Sequence, residues 1–218
     1  MKKSRSLWTA SAITMVIAVL YTLLLRVVDY AAVGPNGSKV GFSHLNEAVK
    51  NLLGYHKVYY SVAEVLGFLT ILLAVCFATL GLYELVRKRS VLKVEPSLLA
   101  MGILFAVVVV LYVFFEVVVI NYRPVIIDGE LEASFPSSHT LLSCVVCGAA
   151  MIESKHLFSK KAPTVDKALQ IVSIILLVGV VAFRTASGVH WITDILGGIL
   201  YSVALLLAFK GAVLKIKE

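Results

Sequence analysis

SLLAMGILFAVVVVLYVFFEVVVI, residues 97–120, carries a single charged side chain, Glu116, in 24 positions. A helix crosses the hydrocarbon core of a bilayer with about 20 largely apolar residues, and few water-soluble domains contain so long an uninterrupted apolar run. The same test applied outward from this stretch finds further segments at roughly 7–28, 58–86, 138–152, 168–183 and 192–209. Composition agrees: 60% of the 218 residues are hydrophobic, 15% are charged, and the mean hydropathy is +0.94. The expected fold is an all-α integral membrane protein, a six-transmembrane-helix bundle forming one domain over residues 1–218.

Two of the six segments, the fourth and fifth, are short, and both adjoin polar loops that can dip toward the membrane under cover of protein. The first follows Met1-Lys-Lys-Ser-Arg5. Its apolar run of about 20 residues exceeds the 7–15 of a secretory signal, so it reads as a retained anchor.

Lys and Arg set the orientation. With six spans, the N-terminus, residues 87–93, residues 155–167 and the C-terminus share one side, and they hold 14 of the 20 basic residues. That side is expected to be the cytoplasm, with both termini on it and the protein in the cell membrane. The net charge of +7 therefore follows from topology. Basic residues dispersed over membrane-flanking loops argue against nucleic acid as a partner, and no obligatory protein partner is evident.

Outside the spans, residues 29–57 form the longest connection, with a turn-rich start at Gly34-Pro-Asn-Gly37. Phe42, Leu45, Val49, Leu52 and Leu53 then recur at helical spacing, which predicts an amphipathic surface helix, either a lid beside the site or a stabilising cap. Cys76, Cys144 and Cys147 fall in apolar segments and read as core; one CxxC pair without a second ligand pair is weak evidence for metal.

The chemistry gathers in two loops on the outer side. One contains Asn121-Tyr-Arg-Pro124 and closes with Phe135-Pro-Ser-Ser-His139; the other reads Arg184-Thr-Ala-Ser-Gly-Val-His-Trp-Ile-Thr-Asp194. Ionisable groups at membrane depth cost several kcal/mol and are mostly functional. Arg123 and Arg184 can clamp phosphoryl oxygens, and amides at the start of the helix after Pro136 and Ser137 can add donors. One of His139 and His190 can attack phosphorus while the other protonates the departing oxygen. Asp194, four residues after His190, lies on the same helical face within reach of a direct hydrogen bond.

These residues resemble the type 2 phosphatidic-acid phosphatase superfamily, whose motifs read K-x6-R-P, P-S-G-H and S-R-x5-H-x3-D. Arg123 and Pro124 fit the end of the first, Pro136 to His139 the second with Ser138 for Gly, and Arg184, His190 and Asp194 the third, with Phe183 in place of Ser. Glu116 stands where the family has Lys. The resemblance implies a lipid phosphatase working at the extracytoplasmic rim of the bundle. By the same resemblance His190 is the nucleophile, Asp194 its orienter and His139 the general acid, with Arg123, Arg184, Ser137 and Ser138 around the phosphate. It implies no metal and no cofactor, a membrane lipid phosphate as substrate, and undecaprenyl diphosphate, phosphatidylglycerol phosphate and phosphatidic acid as the candidates, the first favoured. A non-catalytic lipid-phosphate binder of the same fold is the alternative, and a transporter would more often place its charges at the midplane.

Several polar groups outside the motifs carry their own expectations. Glu116 is expected to pair with Arg123, seven residues on and on the same helical face, acting as a modulator. Asp128, Glu130 and Glu132 read as solvated charge against a weaker cation-binding reading. Glu64 can line the site or pair with Lys57. His44, His56 and His156 match no motif and read as surface histidines.

Overall fold

The computed structural model describes residues 2–127 and 129–217, and for Lys217 the backbone alone. Seven helices account for most of it: α1 (Lys2–Leu24), α2 (Ser43–Leu53), α3 (Lys57–Lys88), α4 (Pro96–Val117), α5 (Ser138–Leu157), α6 (Pro163–Ala186) and α7 (Ile192–Lys217). No strand occurs among the described residues, only three isolated β-bridges.

Five helices, α1, α3, α4, α6 and α7, are long and apolar enough to cross a membrane. The segment expected as the fourth span forms helix α5, five residues longer than anticipated and too polar to join that set. Its position explains its composition. It packs against α3, α4, α6 and α7 at the centre of the bundle, where Thr140, Ser143, Glu153 and Ser154 are buried beside Val145, Val146 and Ala149. A helix surrounded by helices has no lipid-facing stripe to keep apolar, and its polar groups find partners across the interface, as Ser97 Oγ does in donating to Glu153 at 2.6 Å. The outer helices show the complementary pattern, with Ile13, Leu20, Phe68, Val75, Val109, Val113, Ile171 and Ile175 exposed.

Hydroxyl groups staple α1 to α7. Ser4 donates to the Gly211 carbonyl at 2.9 Å, Ser11 to Ala204 at 2.8 Å, and Tyr21 to Thr193 at 3.0 Å. As one number rises the other falls, so the two helices run antiparallel. Hydroxyl-to-carbonyl bonds of this kind hold helices together where lipid removes any hydrophobic drive between them.

At one end of the bundle α2 lies across the connection between α6 and α7. It begins where Asp29 accepts the Ser43 hydroxyl and the His44 amide, both at 2.8 Å, contacts that hold the Asp29 carboxyl below the usual range, the amide foremost. Its buried Asn46 donates to the Gly41 carbonyl at 2.8 Å and to Thr193 Oγ1 at 2.9 Å. Lys50 sits over the Trp191 ring, 5.3 Å from its centroid. The expected amphipathic helix is thus present, and in this arrangement it clamps the loop before α7.

Candidate active site

Five chain segments meet at that end: the start of α3, the loop 118–137, the start of α5, the end of α6 and the loop 187–191 leading into α7. The first loop doubles back on itself through a bridge between Tyr122 and Ala133, with the Arg123 amide donating to Glu132 and the Ser134 amide to Asn121. That hairpin sets Asn121 beside Ser134. Both side chains donate to the carboxylate of Asp194, Asn121 Nδ2 to Oδ1 at 3.0 Å and Ser134 Oγ to Oδ2 at 2.5 Å, and the Trp191 amide adds a third bond at 2.9 Å. The Asp194 carbonyl also takes the Ser137 amide at 3.1 Å. Asp194, with no exposed surface, therefore ties the two motif loops to each other.

The second loop turns at Gly188, where φ is +69° and a Cβ would lie 1.9 Å from the Gly54 carbonyl oxygen. Only glycine combines that left-handed turn with so close an approach. The turn delivers His190 into a buried position with 7% of its surface exposed.

A direct His190–Asp194 hydrogen bond does not form. Nδ1 and Oδ2 are 3.8 Å apart, beyond hydrogen-bond range. Ser134 Oγ stands between them, 3.0 Å from Nδ1. Because its hydroxyl proton goes to Asp194, the serine oxygen accepts from Nδ1–H, which leaves Nε2 with its lone pair. Nε2 is buried and has no hydrogen-bond partner among the described residues. Burial, foremost, and then the positive field of Arg184 and Arg123 outweigh Asp194 and bring the imidazole from 6.5 down to about 4.

Arg184, wholly buried, faces His139 and Glu64. Its Nη2 donates to His139 Nδ1 at 2.5 Å, its Nη1 lies 2.9 Å from Glu64 Oε1, and the guanidinium carbon sits 5.2 Å from the centroid of the Tyr60 ring. Glu64 Oε2 is 3.4 Å from His139 Nε2. The sequence left Glu64 open between the site and Lys57; here it belongs to the site. Arg123 Nη2 pairs with Glu132 Oε2 at 2.7 Å. The expected Glu116–Arg123 pair is replaced by this one, because the hairpin returns Glu132 to Arg123 while Glu116 stays exposed on α4. Glu132, its side chain 41% exposed, is accordingly a solvated charge that also has a partner. Asp128 lies outside the described residues. No group of three or more metal-binding side chains occurs among the described residues.

Ser137 and Ser138 divide. Ser137 is fully buried, its amide held by Asp194 and its hydroxyl accepting from Thr140 at 3.0 Å, so it anchors the helix start. Ser138 and His139 form the polar end of a cavity of about 280 Å³ whose other lining, Ile71, Val108, Val109, Tyr112, Leu141 and Leu142, is largely apolar. Among the remaining histidines, His44 and His56 are exposed as expected, but His156 is largely covered and lies 3.2 Å from Glu95.

Four buried nitrogens at this end lack a hydrogen-bond partner among the described residues: Arg123 Nε, Arg184 Nε and Nη1, and His190 Nε2. Arg184 Nη1 is close to Glu64 but off the line of a hydrogen bond. Buried groups of this kind cost about 1–3 kcal/mol each when left unpaired, and clusters of them mark a place built for a ligand.

The model of the PAP2 superfamily matches residues 114–217. The fold is similar over 100% of this chain and 98% of the other to the first transmembrane PAP2 type phosphatidylglycerolphosphate phosphatase from Bacillus subtilis, with a TM-score of 0.61 and 21% identity. No curated protein matched the sequence.

Proposed function

We propose that this chain, whose residues 114–217 match the model of the PAP2 superfamily, hydrolyses a membrane lipid phosphate at the extracytoplasmic face through a phosphohistidine intermediate. The carrying observation is the state of His190: Nδ1–H secured through Ser134 to Asp194, Nε2 bare, and two guanidiniums within electrostatic range.

In this reading His190 Nε2 attacks phosphorus while the bond to the leaving oxygen breaks, and His139, charged at that moment, gives that oxygen its proton. His139, now neutral, then takes a proton from the attacking water, the P–N bond breaks, and inorganic phosphate and neutral His190 are restored. Arg123, Arg184 and the first amides of α5 beside Ser138 stabilise charge on the phosphoryl oxygens. With those donors in place the reaction calls for neither metal nor cofactor. EDTA is expected to leave the rate unchanged; a large loss restored by magnesium would count against the scheme.

Lipid as substrate is supported by the cavity that ends at Ser138 and His139, since exposed Val109 and Tyr112 open its apolar wall toward the membrane. The tail would occupy it while the phosphate remains at headgroup level. In the same proposal α5, about 30 Å long at 1.5 Å per residue, is the sixth span and both termini are cytoplasmic. The whole chain then acts as one domain. Undecaprenyl diphosphate is the favoured substrate, with phosphatidic acid and phosphatidylglycerol phosphate, the lipid named for the Bacillus protein, as the others.

The test uses purified protein in one detergent with these three lipids, each carrying 32P in its terminal phosphate. One of them should leave an acid-labile, base-stable label on the wild type, and His190→Ala should lose both label and turnover. A His190→Ala variant that keeps most of its activity would overturn the mechanism. Inactivity of the wild type on every lipid phosphate would favour the non-catalytic reading.

A further inference from the structure

A carboxylate stands among the donors of the proposed phosphate site, and nothing in the chemistry above uses it. Glu64 is contributed by α3, otherwise apolar from Val65 to Tyr83 apart from its threonines and Cys76. Its neighbours on that helix show that the placement is built. Tyr60, Glu64 and Gly67 follow at intervals of four and three residues, on one face. Tyr60 stacks on the Arg184 guanidinium, Glu64 reaches Arg184 and His139, and Gly67 is so close to His139 that a Cβ there would lie 2.6 Å from ring atom Cδ2.

The contacts fix how His139 is held. A guanidinium only donates, so in this arrangement Arg184 takes the lone pair at His139 Nδ1 and the neutral ring has its proton on Nε2, directed at Glu64; the charged ring of the proposed mechanism forms once a phosphoryl oxygen has drawn Arg184 away from Nδ1. Both ring nitrogens are engaged, one by the arginine and one by the carboxylate. The Glu64 oxygens thus sit where the proposed mechanism needs a phosphoryl oxygen, at Arg184, and a leaving oxygen, at His139 Nε2. Because Arg184 is fully buried and carries its charge, some anion must lie beside it whenever substrate is away. The Glu64 side chain, 41% exposed, is free to swing out toward solvent when another anion arrives.

We infer that Glu64 is a specificity-determining placeholder that admits phosphoryl groups carrying two negative charges and rejects the singly charged phosphodiesters of ordinary phospholipids. A phosphodiester brings one negative charge to Arg184 and must displace one, so it gains nothing by exchange. A phosphomonoester or terminal diphosphate brings about two near neutral pH and gains from both arginines. An enzyme whose site opens to a bilayer faces phosphodiester headgroups in great excess. A carboxylate of unit charge is a threshold set between the two classes. This inference rests on the phosphate-site reading given under Proposed function.

The test measures the affinity of the purified protein in detergent at pH 8 for inorganic phosphate, a dianion there, and for dimethyl phosphate, a monoanionic diester, from the dependence of Tm on ion concentration. In the wild type phosphate should stabilise and dimethyl phosphate should not. In Glu64→Gln the preference for phosphate over the diester should fall at least fivefold, with dimethyl phosphate binding measurably, and Glu64→Asp should restore much of the preference. An unchanged preference in Glu64→Gln overturns the inference, as does a tenfold fall in turnover at unchanged KM, which would make Glu64 a positioning residue for His139. Arg184→Ala separates the two levels. If it abolishes phosphate stabilisation while Glu64→Gln leaves the preference intact, only the placeholder fails; if it has no effect on phosphate binding, the phosphate site itself is misassigned.

Discussion

Ser134→Ala probes the contact that separates this site from a two-residue His–Asp pair. The substitution deletes one oxygen and leaves the backbone bond from the Ser134 amide to Asn121 in place. Asp194 keeps two of its three donors, Asn121 and the Trp191 amide. His190 fares worse, because Nδ1–H faces a carboxylate oxygen 3.8 Å away and a hydrogen bond needs about 2.7–3.2 Å. An unpaired donor in a buried ring costs about 1–3 kcal/mol, and the imidazole also loses the bond that fixes its tautomer. If that cost falls on the transition state, where His190 becomes cationic in the phosphohistidine, turnover drops roughly 5- to 150-fold at 1.36 kcal/mol per decade. KM should move little, since Ser134 touches neither arginine. The assay is initial-rate phosphate release in detergent, with Tm measured alongside to exclude unfolding. Turnover within twofold of wild type would refute the reasoning, since it would mean that the ring closes the gap to Asp194 unaided. A loss as complete as that of His190→Ala would make Ser134 a direct participant.

The position of His190 also has a pH signature. Its imidazole, depressed from 6.5 to about 4 chiefly by burial, is neutral in the folded protein across a range where the unfolded chain binds a proton, so stability is full above pH 6.5 and is lost as pH falls toward 4, by about 3 kcal/mol in all. Imidazole 15N NMR of the detergent-solubilised protein should show one histidine titrating near pH 4 and missing in His190→Gln; a midpoint at 6 or above would contradict this. Glu116→Gln, at an exposed position that is not ion-paired with Arg123, should change turnover by less than about tenfold, a step of about 1.4 kcal/mol. Glu132→Gln should raise KM more than Glu116→Gln does, because Arg123 loses the 2.7 Å partner that orients its guanidinium, and equal effects of the two would argue against the pairing seen here.

Much of this protein is legible along the chain. Bilayer thickness imposes a length on apolar runs, so residues 97–120 announce a spanning helix wherever they fold, and the same rule finds the cores of α1, α3, α6 and α7. Side-chain periodicity finds α2 equally well, because an amphipathic stripe is a local property. Arg123, His139, Arg184, His190 and Asp194 stand out because ionisable groups beside such runs are costly, and their spacing carries the family resemblance.

Tertiary structure decided what touches what. The helical spacing of His190 and Asp194 suggested a direct bond, but the chain enters α7 only at Ile192, so His190 lies in the preceding loop and the i, i+4 geometry does not apply. Ser134 enters that gap because the 121–134 loop folds back on itself. The same fold-back gives Arg123 to Glu132, nine residues on, in place of Glu116, seven residues before it along α4; the chain leaves the helix at Val117 and the shared face ends there. Glu64 meets Arg184 and His139 from positions 120 and 75 residues away, a juxtaposition that depends on how α3 packs against α5 and α6. Apolar length and stripe are summed over neighbours in sequence and survive any fold; a hydrogen bond or ion pair depends on a few ångströms between distant residues, and only the packed bundle sets those.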